Sequence, residues 1–248
     1  MPDRTAAREA LHSVFDRIYV INLPERSDRR AELERQFRHV DLSLQDQFVT
    51  VFPAVRPDTP GNFPEVGIRG CFESHLGILE QAVGSGARHV LIMEDDADFS
   101  ADFGERFPLM AAKLQEREWD VFFGHRNETY HAKAPQGDAT LDDIAPDDGI
   151  RLTHFIALSQ RAARLAVPYL RGVASRPHDH PDGGAMHVDA AYNWFRRTHP
   201  ELVTLAPHYP VAVQRPSRSD IHRGKWFDRI EPLRPVVSAL RRLKSALR

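Results

Sequence analysis

Residues 89–99 read HVLIMEDDADF. Val90, Leu91, Ile92 and Met93 form a short apolar run that breaks off into the carboxylates Glu94, Asp95, Asp96 and Asp98. A run of this length, rich in branched side chains and preceded by the turn-prone Gly84 and Gly86, predicts a strand buried on both faces. The acids then lie at its carboxyl end, the edge of an open α/β sheet where loops frame a ligand crevice. Like charges gathered at one point repel, and a bound cation relieves the repulsion. Oxygen-only ligands suit Mg2+ or Mn2+, which keep positions open for phosphate oxygens. The competing reading makes the acids the start of the next helix, where Asp and Ser cap and negative charge suits the helix dipole. That reading is taken for Asp98 and Ser100, and a divalent-metal site is expected at Glu94 to Asp96.

Upstream, Arg17 to Leu23 (RIYVINL) reads as a strand ended by Pro24, after a charged leader helical from about Thr5 to Leu11. Asp28 opens a helical stretch, which puts Arg26, Arg29 and Arg30 at a strand-to-helix turn on the same sheet edge. Arginines and helix amides converging there can hold a nucleotide's phosphates. Three arginines alone are better described as a solvated basic helix face. Gln47 to Val55 predicts a second strand, Arg56 to Gly67 a Pro- and Gly-rich loop, and RGCFESHLGILEQAVGSG a helix with Ser74 and His75 in its first turns.

Downstream, Ala101 to Arg117 is helical in period and Trp119 to Gly124 is a buried strand. Arg126 to Gly149 is poor in apolar residues and long for a loop in a compact domain. A strand at Arg151 to Leu158 and a helix at Arg161 to Leu170 follow. The loop Ala174 to His187 holds His178, His180 and His187, but lacks zinc-ligand spacing and cysteine partners. Val188 to Arg197 is an amphipathic helix. Asp189 at its start complements the dipole or serves as a base on a rigid mounting. Short strands at Leu202 to Leu205 and Val211 to Val213 lead into QRPSRSDIHRG, whose donors include Gln214, Arg215, Arg218 and His222. Phosphate recognition and an ordinary exposed loop are equal readings of that composition.

The alternation of strands and helices argues for an α/β sandwich with a mostly parallel central sheet. Residues 1–232 are read as a single domain. Residues 233–248 form a basic amphipathic helix that either lies on an anionic membrane surface or packs on the domain. With 33 basic and 35 acidic residues, nothing points to nucleic acid. The single cysteine excludes an internal disulfide and fits a reducing compartment. The polar N-terminus and the lack of a long apolar run predict a cytoplasmic chain, with any membrane contact peripheral.

Three blocks in order, VINLPERSDRR (Val20 to Arg30), GCFESHLGIL (Gly70 to Leu79) and LIMEDDADF (Leu91 to Phe99), resemble glycosyltransferase family 25. The family includes lipooligosaccharide and collagen galactosyltransferases. The resemblance implies a GT-A-type nucleotide-sugar-binding fold, a UDP-sugar donor, commonly UDP-galactose, and Mn2+ or Mg2+ at an acidic site. That site falls on Glu94, Asp95 and Asp96, or on the literal DxD of Asp96 and Asp98, with His222 as a further metal candidate. Asn22, Arg26, Arg29 and Arg30 fall on the nucleotide side, Ser74 and His75 in the pocket, and Arg215 or Arg218 near the departing diphosphate. Family members generally invert configuration, so Asp189 is the expected base for a glycan or lipid-linked acceptor hydroxyl. A metal-dependent phosphohydrolase or nucleotidyltransferase, and a non-catalytic nucleotide-sugar-binding scaffold, are the rival readings.

Overall fold

The computed structural model describes residues 4–126 and 134–215. The first half comprises α1 (Arg4–Val14), β1 (Arg17–Asn22), α2 (Ser27–Arg38), β2 (Val49–Pro53), α3 (Val66–Ser85), β3 (His89–Glu94), β4 (Ala97–Phe99) and α4 (Phe103–Gln115). The second comprises β5 (Val121–Phe123), β6 (Leu141–Asp143), β7 (Phe155–Ser159), α5 (Gln160–Ser175), α6 (Val188–Thr198), β8 (Thr204–Pro207) and β9 (Ala212–Gln214).

Successive side chains of a strand point to opposite faces, so an uninterrupted apolar run must be covered on both sides. Ile18, Val20, Leu91 and Met93 enter one core, with the apolar faces of α1, α2 and α4. Tyr19, Ile21, Val90 and Ile92 enter the other, against α3, α5 and α6. The result is a three-layer α/β sandwich around a seven-stranded sheet, ordered β2-β1-β3-β7-β5-β8-β6.

The sheet is mixed. β1 runs parallel to β2 and β3, and β5 parallel to β8, while β7 lies antiparallel between β3 and β5 and β6 antiparallel on the β8 edge. Strand direction is not written in composition: FIALS in β7 is as apolar and as buried as a parallel strand. Both β1 and β3 end at one edge, with Ile21 beside Glu94 in the register.

The expectation that Asp98 and Ser100 cap a helix is overturned. Asp98 lies in β4, which pairs with β9 as a separate two-stranded ribbon, and α4 begins only at Phe103. What competes with the cap is Arg215, which follows β9 and takes the Asp98 carboxylate. The long loop also carries more structure than its composition indicates, because β6 lies within it. The buried Arg196 of α6 donates to the carbonyls of Ala145 (2.6 Å), Asp148 (2.8 Å) and Ile144 (3.2 Å) and to Thr204 Oγ1 (3.0 Å), tying the loop to the sheet. Burial brings its guanidinium down to about 10.

Arg218, His222 and the helix expected over 233–248 lie outside the described residues. Among the described residues, no helix is long and apolar enough to cross a membrane.

His125 and His154 stack with ring centroids 4.7 Å apart, and both are buried. Burial and the neighbouring His154 push His125 down to about 3, and burial also lowers His154. A lowered histidine stays neutral in the fold while the unfolded chain takes up the proton. Its stability contribution is therefore whole above about 6.5 and is lost as pH falls toward 3. Urea unfolding should show stability declining from pH 6.5 downward, with a shallower decline in His125→Phe; identical slopes would place this loss elsewhere.

Candidate active site

Three carboxylates leave the end of β3 and reach three different environments. Asp95 turns back into the protein. Its Oδ2 accepts from Asn22 Nδ2 of β1 (2.8 Å) and its Oδ1 from Arg29 Nη1 of α2 (2.6 Å). Both members of this ion pair are about nine-tenths buried. Glu94 faces α3 and β7, where its Oε1 accepts from Thr153 Oγ1 (3.0 Å) and lies 3.7 Å from His75 Nε2. Asp96 stands between them. Its Oδ2 accepts a long bond from Gln214 Nε2 (3.3 Å) and is 4.0 Å from Arg29, while its buried Oδ1 has no hydrogen-bond partner.

These environments separate their acidities. Burial, then the charges of Glu94 and Asp95, push Asp96 up to about 7 against the pull of Arg29. Burial also raises Glu94, but the His75 and His154 rings and the Thr153 hydroxyl outweigh it and hold that carboxyl below its usual range. Two acids two residues apart are thus held in opposite directions by their partners, unlike a solvated charge cluster.

The cleft over this edge has a volume of about 1490 Å³. Its lining includes Arg26, Arg29 and the three acids, together with Ser74 and Cys71 of α3, Thr153, Asp189 at the start of α6, and Gln214 and Arg215. The α3 wall comes unusually close because Gly70 faces the Val55 carbonyl, which a Cβ would approach to 2.5 Å. Ser74 Oγ fastens the same contact, accepting from Val55 N (2.8 Å) and donating to Gly70 O (2.6 Å). The GCFESH block thus contains wall-building residues.

The remaining residues singled out from sequence divide. Arg29 is buried at the centre, Arg26 reaches the cleft rim while pairing with Asp28 (2.8 Å), and Arg30 is exposed and outside the lining. Asn22 and His75 stand behind the lining, as supports rather than surfaces. Asp98 is engaged through both carboxylate oxygens by Arg215 (3.1 and 3.0 Å to Nε), and Arg215 also pairs with Glu32. The DxD frame of Asp96 and Asp98 therefore has one carboxylate already spoken for. Asp189 Oδ2 accepts from Leu152 N (3.3 Å), whose residue adopts a left-handed φ of 69°, and Oδ1 from Ala190 N (2.8 Å).

Two histidines of the 174–187 loop serve that loop's own backbone. His178 Nδ1 faces Ala185 O at 2.7 Å and His180 Nδ1 accepts from Asp182 N. Thr153 carries no sequence signal of its role, and Cys71 by itself marks only a redox compartment. The spacing of Cys71 four residues before His75 on one helix was the available signal.

No family model matches the chain. Curated relatives do. The human inactive glycosyltransferase 25 family member 3 is 29% identical over 132 residues, covering 46% of this chain and 22% of that protein. The zebrafish (Danio rerio) procollagen galactosyltransferase 1 is 25% identical over 127 residues, or 44% and 21%. A glycosyltransferase 25 family member of Drosophila melanogaster is 31% identical over 135 residues, or 45% and 21%. The chain is glycosyltransferase 25-like. The matched regions cover less than a quarter of these relatives, and the human protein's name marks it as inactive. Among solved structures, A197 from STIV is similar at a TM-score of 0.38 and 11% identity, over 84% of this chain and 97% of that one. A likeness that remote says nothing about the site of this glycosyltransferase 25-like chain.

In metal-free protein the raised Asp96 favours its protonated form. Its stabilising contribution is whole below the ordinary carboxylate range near 4 and is lost as pH rises through 7. Asp96→Asn should therefore match or exceed the parent in urea stability at pH 8 in the presence of chelator, and lose that advantage by pH 5. A difference that does not change with pH would mean that Asp96 ionises like an exposed acid.

Proposed function

We propose that this chain is a metal-dependent hexosyltransferase of the GT-A type. It moves a hexose, galactose by the resemblance, from a UDP-sugar to a hydroxyl of a glycan acceptor with inversion. The observation that carries this reading is Asp96: a buried carboxyl with an unpartnered oxygen, pushed up to about 7 by its surroundings, in a large cleft at the carboxyl edge of β1 and β3. A divalent cation supplies the charge that such an oxygen lacks. Asp96 would hold Mn2+ or Mg2+, which when bound neutralises negative charge on a departing nucleoside diphosphate.

The chain's own groups account for the rest. Arg29 pairs with Asp95, lies 4.0 Å from Asp96 and would add positive charge on the diphosphate side. Arg26 lines the cleft while paired with Asp28, and the resemblance puts it on the nucleotide side. Asp189, also in the cleft lining, is held in one orientation by two backbone N–H groups, which suits a base that must meet a hydroxyl in a fixed geometry. The acceptor oxygen bonds to the anomeric carbon as the bond from that carbon to the phosphate oxygen breaks; the hydroxyl proton goes to Asp189 and UDP leaves. Lipooligosaccharide or another surface polysaccharide as acceptor, and a peripheral site at the cytoplasmic membrane face through 233–248, follow from the resemblance and the sequence of that segment.

The scaffold reading draws on one specific finding, the inactive relatives. The two are separated by measuring UDP release from UDP-galactose with Mn2+ and a panel of glycan acceptors. A transferase loses turnover in Asp96→Asn with its fold intact, while Asp189→Asn lowers kcat by about 10²- to 10⁴-fold with little change in donor binding. Metal-independent UDP binding without turnover of any donor would establish the scaffold instead.

A further inference from the structure

A second group of side chains meets at the cleft wall, with Cys71 and Glu94 in the lining and His75 behind it. Cys71 Sγ, a nitrogen of His75 and a carboxylate oxygen of Glu94 all lie within 4.8 Å of one another. Among the described residues, no other group of three or more metal-ligating side chains converges in this way. Cys71 and His75 are four residues apart on α3, so the helix presents them on one face, and Glu94 approaches from the end of β3.

The surroundings of these ligands are as specific as the ligands. His75 is fully buried, and its Nε2 has no hydrogen-bond partner although it points at Glu94 from 3.7 Å. Its other nitrogen, Nδ1, lies 3.4 Å from the hydroxyl of the fully buried Tyr192. A ligating histidine characteristically bonds through one nitrogen while the other is engaged by a neighbour that fixes ring and tautomer. Glu94 is oriented in the same manner by the Thr153 hydroxyl. Cys71 is half-buried and lines the cleft, so the site opens to ligands on that side.

We propose that Cys71, His75 and Glu94 form a second metal site, distinct from the one proposed at Asp96, for a borderline cation of the Zn2+ class. Thiolate, imidazole and carboxylate together select such an ion over Mg2+ or Mn2+, which prefer oxygen alone. Three protein ligands and an open fourth position describe a site that can bind a further group from the cleft. Tetrahedral ligand atoms around such an ion stand roughly 3.5 Å apart, so closing on it asks for shifts of about 1 Å. The ion's charge would convert Cys71 to thiolate, against the burial and the Glu94, Asp96 and Asp189 charges that raise the thiol in its absence. The proposal stands whether or not the donor reading of Asp96 does.

Co2+ tests it, because a thiolate-bound cobalt gives a sulfur-to-metal charge-transfer band in the near ultraviolet. The chain has one cysteine, so that band can arise only from Cys71. Titrating the metal-free full-length protein with Co2+ should give the band saturating at one equivalent, with Zn2+ abolishing it. Cys71→Ser should lack the band, His75→Gln and Glu94→Gln should weaken binding at least tenfold, and Asp96→Asn should keep it. Zn2+ should also shield the thiol of the unaltered protein from alkylation, a readout that requires no variant. Cobalt bound without the band, no shielding by Zn2+, or a band that disappears with Asp96→Asn would each overturn the proposal.

Discussion

The site depends on the buried ion pair between Arg29 and Asp95. Acids placed in succession at the end of a buried strand repel each other at a range where little water intervenes, and a fold that merely collected them would open there. Arg29, from the helix after β1, answers one of them at 2.6 Å, and Asn22 of β1 holds its second oxygen. Losing one partner of such a pair costs about 3–5 kcal/mol, because the other charge is left buried alone. With Asp95 held by these partners, Glu94 and Asp96 diverge. One finds histidine and threonine; the other is left protonatable in the cleft.

The surrounding elements maintain that divergence. Close packing at Gly70 and the two hydrogen bonds of Ser74 Oγ bring α3 against the loop after β2, and Cys71 and His75 come with it. On the other side, the β4–β9 ribbon brings Gln214 to Asp96, while Arg215 is consumed by Asp98 and Glu32. Arg215 is therefore a strut more than a free cation for phosphate. The polar segment rich in donors owes this part of its composition to structure. Arg196, which looks in sequence like the solvated side of an amphipathic helix, serves likewise as the anchor of the 144–148 loop.

Much of this was legible beforehand. The apolar runs at Ile18 to Ile21 and Val90 to Met93 announced strands covered on both faces, and the helical spacing after Asp28, Gly70 and Val188 announced the layers that cover them. The edge where ligands gather followed from where those runs break into acids. These are local properties: backbone sterics and the period of burial act within a few residues of chain.

Which carboxylate would be locked, which would stay open and which would turn toward a thiol and an imidazole was decided by the tertiary structure alone. Asp98 meets Arg215 across 117 residues and Asp95 meets Arg29 across 66. The antiparallel insertion of β7 brings Thr153 to Glu94. A charge in a buried place takes its character from the partner that reaches it, and that partner arrives by the packing of distant elements, which no local pattern of residues encodes.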